Sequence, residues 1–254
     1  SGGIDSSAIT AFASKAYAGR IQTFSVGFDF DKGVNELPKA RSIAERFGTD
    51  HHEMHLAGGD VADVIERLVC AHDEPFSDAA NIPLYLLCRE LGGSIKVILQ
   101  GDGGDEIFAG YRRYNVLSHE RLWRAAATTR VLPRLRRGGI AYDRLMRFFH
   151  AIGQRDPALR YAWLMTMESP ADPPTRLLTP AARERLARHD PFARYREIFA
   201  PLARLDPVQR ALYSDCQLLL PDEFLEKVDR STMACSVEVR VPMLDNPLTD
   251  YVLG

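Results

Sequence analysis

Residues 95–114 read IKVILQGDGGDEIFAGYRRY, and the fold turns on how this stretch is built. Ile95, Val97, Ile98 and Leu99 form a short apolar strand, expected to be buried. A glycine-rich bend, Gln100-Gly101-Asp102-Gly103-Gly104-Asp105-Glu106, follows at once, and Ile107, Phe108 and Tyr111 belong to a helix behind it. Three glycines and three acids in seven residues serve packing poorly, because acids repel one another and glycine weakens both flanking elements. A divalent cation would resolve that repulsion. The alternative is that the acids only stabilise a helix N-terminus.

Upstream of this stretch the period alternates between helix and strand. Ile9, Phe12, Ala16 and Tyr17 share one face of a helix over residues 7–17, and IQTFSVGF at 21–28 is β-rich. Leu37, Ala40, Ile43, Ala44 and Phe47 form a helical stripe that Gly48 ends, and DHHEMHL at 50–56 alternates as a strand does. Asp60 is placed to cap a helix carrying Val61, Val64, Ile65, Leu68 and Val69. Pro83 suits a first helical turn, with Leu84, Leu87, Cys88 and Leu91 behind it and Gly92-Gly93 as the stop. The order predicts an α/β fold: a parallel, doubly wound sheet with helices on both faces, and ligands beyond the carboxyl ends of its strands.

Downstream, from about Ser118 to Arg210, the period is helical throughout, and SPADPPTRLLTP at 169–180 reads as a proline-rich turn. Arg121, Arg124, Arg130, Arg134, Arg136 and Arg137 crowd together as a phosphate-binding patch or as solvated helix faces. A whole-chain charge that is not basic favours solvated faces. Two parts are therefore expected: an α/β nucleotide-binding part over residues 1–116 and a mainly helical part over 117–254.

Composition narrows the class further. With 46% hydrophobic and 26% charged residues, the chain is neither disordered nor a disulfide scaffold. The 32 basic and 34 acidic residues leave a net charge of −2, which asks for no nucleic-acid partner. Cys70, Cys88, Cys216 and Cys235 are too dispersed for a zinc knuckle or redox pair. No apolar stretch nears the roughly 20 residues needed to span a bilayer, and no signal-peptide pattern is present. A soluble, cytoplasmic protein without a membrane partner is expected.

The first residues, SGGIDSS at 1–7, lie directly before a helix. Gly2 and Gly3 let the backbone approach an anion, Ser1, Ser6 and Ser7 offer hydroxyl donors, and the helix N-terminus adds partial positive charge. An exposed helix end supplies only about 0.3–1 kcal/mol, so a polyphosphate would also need a cation. Asp5 offers it a carboxylate. Magnesium typically binds through one or two carboxylates plus substrate phosphates, so Asp5 and Asp105 together suit a magnesium–ATP complex. The loop lacks the Lys-Ser/Thr ending of a Walker A motif, and plain helix capping is the competing explanation.

Other candidates carry less. His51, His52 and His55 lie on a strand where His52 faces away from the other two, which argues against a metal site. Asp73, Glu74 and Asp78 flank Pro75 and fit either a nucleotide contact or a turn. Lys227 by itself reads as an ordinary surface lysine. An ion pair between Arg240 and Asp245 is expected near it.

SGGIDSS and QGDGGDEIFAGYRRY, together with DEPFSDAANIPLYLL at 73–87 and LPDEFLEKVDRSTMACSVEVRVPMLD at 220–245, resemble the synthetase domain of glutamine-hydrolysing asparagine synthetases, in the ATP-pyrophosphatase (PP-loop) superfamily. The resemblance spans nearly the whole chain and is weakest over 117–205. It implies an adenine nucleotide alpha hydrolase-like fold in which Ser1, Gly2, Gly3, Asp5, Ser6 and Ser7 hold the pyrophosphate of ATP. By the same resemblance Val26 and Gly27 line the adenine site, Gln100 and Gly101 contact the nucleotide, and Asp5 and Asp105 bind magnesium. Asp102 matches the loop acid that supports formation and amidation of an acyl-adenylate; some relatives have Glu there. Lys227 matches the lysine beside the α-phosphate.

The implied reaction joins ATP, aspartate and ammonia to give asparagine, AMP and pyrophosphate. A related amidotransferase or β-lactam synthetase-like enzyme acting on another carboxylate, and a non-catalytic nucleotide-binding module, remain as alternatives. The glutaminase domain with its N-terminal cysteine, the expected partner that supplies ammonia, has no counterpart in this sequence, and no strand precedes the opening loop. The expectation is therefore a fragment of a longer protein, with a homodimer left open as its assembly, that folds poorly or is inactive when expressed alone.

Overall fold

The computed structural model describes residues 2–28, 35–56, 61–76, 78–128, 140–166 and 174–254. They form two compact units, one of residues 1–108 and 218–254, the other of residues 109–217. The chain leaves the first unit after residue 108 and returns to it at residue 218.

In the first unit α1 (Ile4–Ala16) leads to β1 (Gln22–Phe28), α2 (Leu37–Phe47) and β2 (Asp50–Leu56). Strands β1 and β2 pair in parallel from Gln22 opposite Asp50 to Phe28 opposite Leu56. Leu37, Ala40 and Ala44 form the buried stripe of α2, and Gly48 ends the helix at φ +64°, in the left-handed region that glycine enters without steric cost. Next come α3 (Val61–His72) and α4 (Asn81–Leu91), whose Val64, Leu68, Tyr85 and Leu86 make one buried cluster. The expected capping residue Asp60 lies outside the described residues. Strand β3 (Val97–Leu99) and the single turn α5 (Gly104–Ile107) follow.

The second unit is helical: α6 (Arg112–Ser118), α7 (Glu120–Thr128), α8 (Ile140–Gly153), α9 (Pro157–Met165), α10 (Pro180–Leu186), α11 (Ala193–Phe199) and α12 (Pro207–Gln217). Asp156 and Thr179 cap α9 and α10, each with a proline at the first helical position. Its interior holds one buried polar cluster. Asp215 on α12, 1% exposed, accepts from Arg113 (Nε 3.0 Å, Nη2 2.7 Å) and from the hydroxyls of Tyr114 and Tyr161. Of the clustered arginines, Arg121 and Arg124 are exposed, Arg124 pairing with Glu120 at 3.6 Å. Arg130, Arg134, Arg136 and Arg137 lie outside the described residues.

The chain then re-enters the first unit through a π-helical turn (Leu220–Leu225) that runs into α13 (Glu226–Met233), followed by β4 (Glu238–Arg240) and α14 (Asn246–Leu253). Helix α13 packs on α3 and α4, and β4 pairs in parallel with β3, Val97 opposite Glu238 and Leu99 opposite Arg240.

The fold is mixed α/β with parallel strands, as expected, but the described strands form two separate two-stranded ladders. The expected burial of β3 needs correction. Val97 and Leu99 are 42% and 49% exposed, because apolar side chains create a demand for cover without supplying the element that meets it. Helix α1 likewise buries none of its residues. Among the described residues no helix is long and apolar enough to cross a membrane.

Candidate active site

Two turns meet in the first unit. Gly3 is the N-cap of α1, and no side chain caps that helix end. The Ser6 and Ser7 hydroxyls donate back to the Gly3 carbonyl at 3.2 and 2.6 Å, so both must rotate to serve an anion. Gly2 fits closely against α2, since a Cβ there would lie 2.2 Å from the Lys39 Cβ. Ser1 lies outside the described residues.

The acidic bend reaches this helix end because its glycines permit it. A Cβ on Gly101 would stand 3.0 Å from the Asp5 Cβ, and one on Gly104 would stand 2.6–2.9 Å from the Asp5 carboxyl atoms. Gly103 turns the chain at φ +85°, where an L side chain is strained and would also strike Leu244. Asp5 consequently packs against the backbone that carries Asp105. Burial first, and then the negative charge of Asp105, raise the Asp5 carboxyl above the usual carboxylate range. Like charges held together in this way invite a cation.

Two buried acceptors on the bend lack hydrogen-bond partners among the described residues: Gln100 Oε1 and Asp102 Oδ2. Burial raises the Asp102 carboxyl, and Lys227 works in the opposite direction. Orphaned buried acceptors are costly, and here they mark positions where a polar ligand would be satisfied. The donor set, carboxylates with glycine-lined backbone, fits an oxygen-seeking magnesium ion that completes its shell with phosphate oxygens and water. Among the described residues no three His, Cys, Asp or Glu side chains stand ready to hold an ion by themselves.

Lys227 departs from the surface-lysine reading, being 8% exposed. It sits in the first turn of α13, directly after the π-helical turn, a rare geometry frequent at functional sites. Its Nζ donates to Asp78 Oδ2 at 2.8 Å and lies 4.9 Å from the Phe224 ring centroid. Asp78 Oδ1 in turn accepts the Ala80 N–H at 2.9 Å, at the entry to α4. Asp78 thus serves as both turn and charge partner; the sequence around Pro75 argues for a turn or a nucleotide contact and does not reveal the lysine.

The structure accordingly brings Asp5, Gly101, Asp102 and Lys227 into one electrostatic neighbourhood with Asp105. Val26 and Gly27 occupy the carboxyl-terminal half of β1, where Leu37 and His55 pack against the space a Gly27 side chain would need. Of the strand histidines, His51 shares a hydrogen bond with Thr23 Oγ1 at 2.9 Å, and His52 stacks on Phe24 and approaches Asp50 at 3.2 Å. The expected Arg240–Asp245 ion pair is replaced by Arg240 with Glu238 at 2.8 Å, two positions apart on the same face of β4.

Comparison with known proteins places the sequence in a family. The sequence pattern of the asparagine synthase family matches residues 1–254. A Mycobacterium tuberculosis relative is 33% identical over 250 residues, 96% of this chain and 37% of its own length. A Bacillus subtilis protein named asparagine synthetase (glutamine-hydrolyzing) 1 is 27% identical over 258 residues, covering 98% of this chain and 39% of that protein. An Arabidopsis thaliana protein named asparagine synthetase (glutamine-hydrolyzing) 3 is 33% identical over 124 residues, 44% of this chain and 21% of its own length. The chain spans less than two fifths of the length of each of these relatives.

Proposed function

Because the chain belongs to the asparagine synthase family, we propose that it carries the synthetase half-reaction of an ATP-dependent, AMP-forming amide synthesis, and that its two parallel ladders belong to a doubly wound PP-loop sheet. ATP would lie with its pyrophosphate over Gly2, Gly3, Ser6 and Ser7, its adenine toward Val26 and Gly27, and Gln100 and Gly101 against the nucleotide. Asp5 and Asp105 would hold magnesium, which neutralises polyphosphate charge when bound.

In the first step an aspartate side-chain carboxylate attacks the α-phosphorus, the bond to the bridging oxygen breaks, and pyrophosphate departs. In the second, ammonia adds to the activated carbonyl carbon, loses a proton and expels AMP, leaving asparagine. Lys227 supplies fixed positive charge beside the phosphorus, where charge builds in the transition state, and is worth more there than in water. Asp102, whose carboxyl burial raises above its ordinary range, would face the reacting carboxyl region as the acid that supports both steps. Ammonia would come from glutamine through a glutaminase domain elsewhere in a longer, cytoplasmic polypeptide.

The observation that carries this reading is the close approach of Asp5 to Gly101 and Gly104, which joins the two turns. The test is to identify the products formed by the full-length protein from ATP, aspartate and ammonia. Asparagine with stoichiometric AMP and pyrophosphate is expected, and Asp105→Asn should abolish all three. Formation of ADP would refute the mechanism. Pyrophosphate release that depends on a different carboxylate would keep the mechanism and replace the substrate.

A further inference from the structure

We propose that Asp78 is a positioning residue of this reaction: it seats the Lys227 ammonium and aims it at the nucleotide. The inference rests on the function proposed above. Asp78 and Lys227 are 149 residues apart in sequence, yet Nζ and Oδ2 are 2.8 Å apart with side chains only 19% and 10% exposed. An ammonium withdrawn from water so completely is costly unless an anion faces it, so Asp78 is what allows Lys227 to remain charged and inside.

The seat is itself fixed. Asp78 Oδ1 is held by the Ala80 N–H, so the carboxylate cannot swing with its lysine. Helix α4 behind it carries Tyr85 and Leu86 of the buried cluster, and α13, which carries Lys227, packs against α4. The π-helical turn directly before α13 carries Phe224, whose ring centroid lies 4.9 Å from the ammonium. Burial is the largest single influence and opposes ionisation of Asp78, but the bond from Lys227, the bond from the Ala80 N–H and the Lys227 charge together outweigh it, and the carboxyl is held below its ordinary range. One of the three ammonium protons is engaged by Asp78, which leaves two for ligand oxygens.

A plain staple between α4 and α13 would show the same contact, so the test must separate aim from stability. In the full-length protein, Asp78→Glu keeps the charge but moves it by one methylene. Aim predicts a kcat lower by about 3–10-fold with KM for ATP and thermal midpoint close to wild type, and Asp78→Asn a loss of about 10–100-fold. In a Lys227→Met background, where the aimed group is gone, Asp78→Asn should lower kcat by less than about 3-fold further. Wild-type kcat in Asp78→Glu, or losses from Asp78→Asn and Lys227→Met that multiply, would overturn the assignment even if Asp78→Asn did not fold. Absence of AMP formation by the wild type would remove the reaction, and this inference with it; normal wild-type turnover with an unaffected Asp78→Glu would remove the inference alone.

Discussion

Replacing Asp215 by asparagine should be among the most damaging single changes in the helical unit. The carboxylate is 1% exposed and accepts two bonds from Arg113, at 3.0 and 2.7 Å, and one each from Tyr114 and Tyr161. Asparagine is nearly isosteric, so no cavity forms. It removes the charge and presents an amide donor where donors already converge, which leaves the half-buried Arg113 guanidinium without its anion. Breaking a buried pair from one side costs about 3–5 kcal/mol. For a chain of this size about 1 kcal/mol moves the thermal midpoint by roughly 2–4 °C, which gives a fall of about 6–20 °C. Tyr161→Phe, which deletes one bond to a charged acceptor, should cost about 1.5–3 kcal/mol. Burial, and then the Asp215 charge, raise both tyrosine hydroxyls well above the ordinary phenol range. Their share of stability is therefore fully present below about pH 10 and fades only as pH rises beyond it, when the unfolded tyrosines ionise and the folded ones do not. Urea unfolding of Asp215→Asn, Arg113→Met and the double variant would check the reasoning. A cost under about 1 kcal/mol for Asp215→Asn, or additive single effects, would refute it.

Asp5→Asn relieves the repulsion from Asp105, so the ligand-free protein should gain up to about 1 kcal/mol, or about 1–3 °C, after screening. The same variant should lose the rise in midpoint that magnesium–ATP gives the wild type, and a midpoint that still responds would show that Asp5 is no ligand. His72 is buried against Phe76 with neither ring nitrogen bonded among the described residues, and burial lowers its affinity for a proton despite the nearby Glu226 and Glu74. The unfolded state then binds the extra proton first, so this group's contribution is complete above about pH 6.5 and is lost as pH falls below it. His72→Phe should flatten the decline in stability between about pH 7 and 5 and leave the protein at least as stable at pH 7, as pH-dependent melting would reveal. Burial, and then the neighbouring Cys235, push the Cys88 thiol up to about 12, whereas Cys70 is exposed. Timed alkylation read by mass spectrometry should label Cys70 in the native protein and leave Cys88 untouched until unfolding; early labelling of Cys88 would contradict its burial.

The sequence alone determined what depends on neighbours a few residues away. The helical stripe from Leu37 to Phe47 with its left-handed glycine, the parallel-strand segments at 22–28 and 50–56, and the stop after Leu91 follow from periodicity and turn chemistry that the backbone expresses locally. The two turns were legible for the same reason, since glycine and acid spacing is a property of a single bend. Tertiary structure decided every pairing across distance. The apolar run at 97–99 predicted a strand correctly and its burial wrongly, because a strand's cover comes from other elements. Glu238 takes its place beside Val97, Asp78 beside Lys227, and Asp215 beneath Tyr114 and Tyr161 over separations of 54 to 149 residues. No short window records such choices, because a buried charge is satisfied by whichever distant partner the packing of helices brings within about 3 Å, and that packing is a property of the folded chain as a whole.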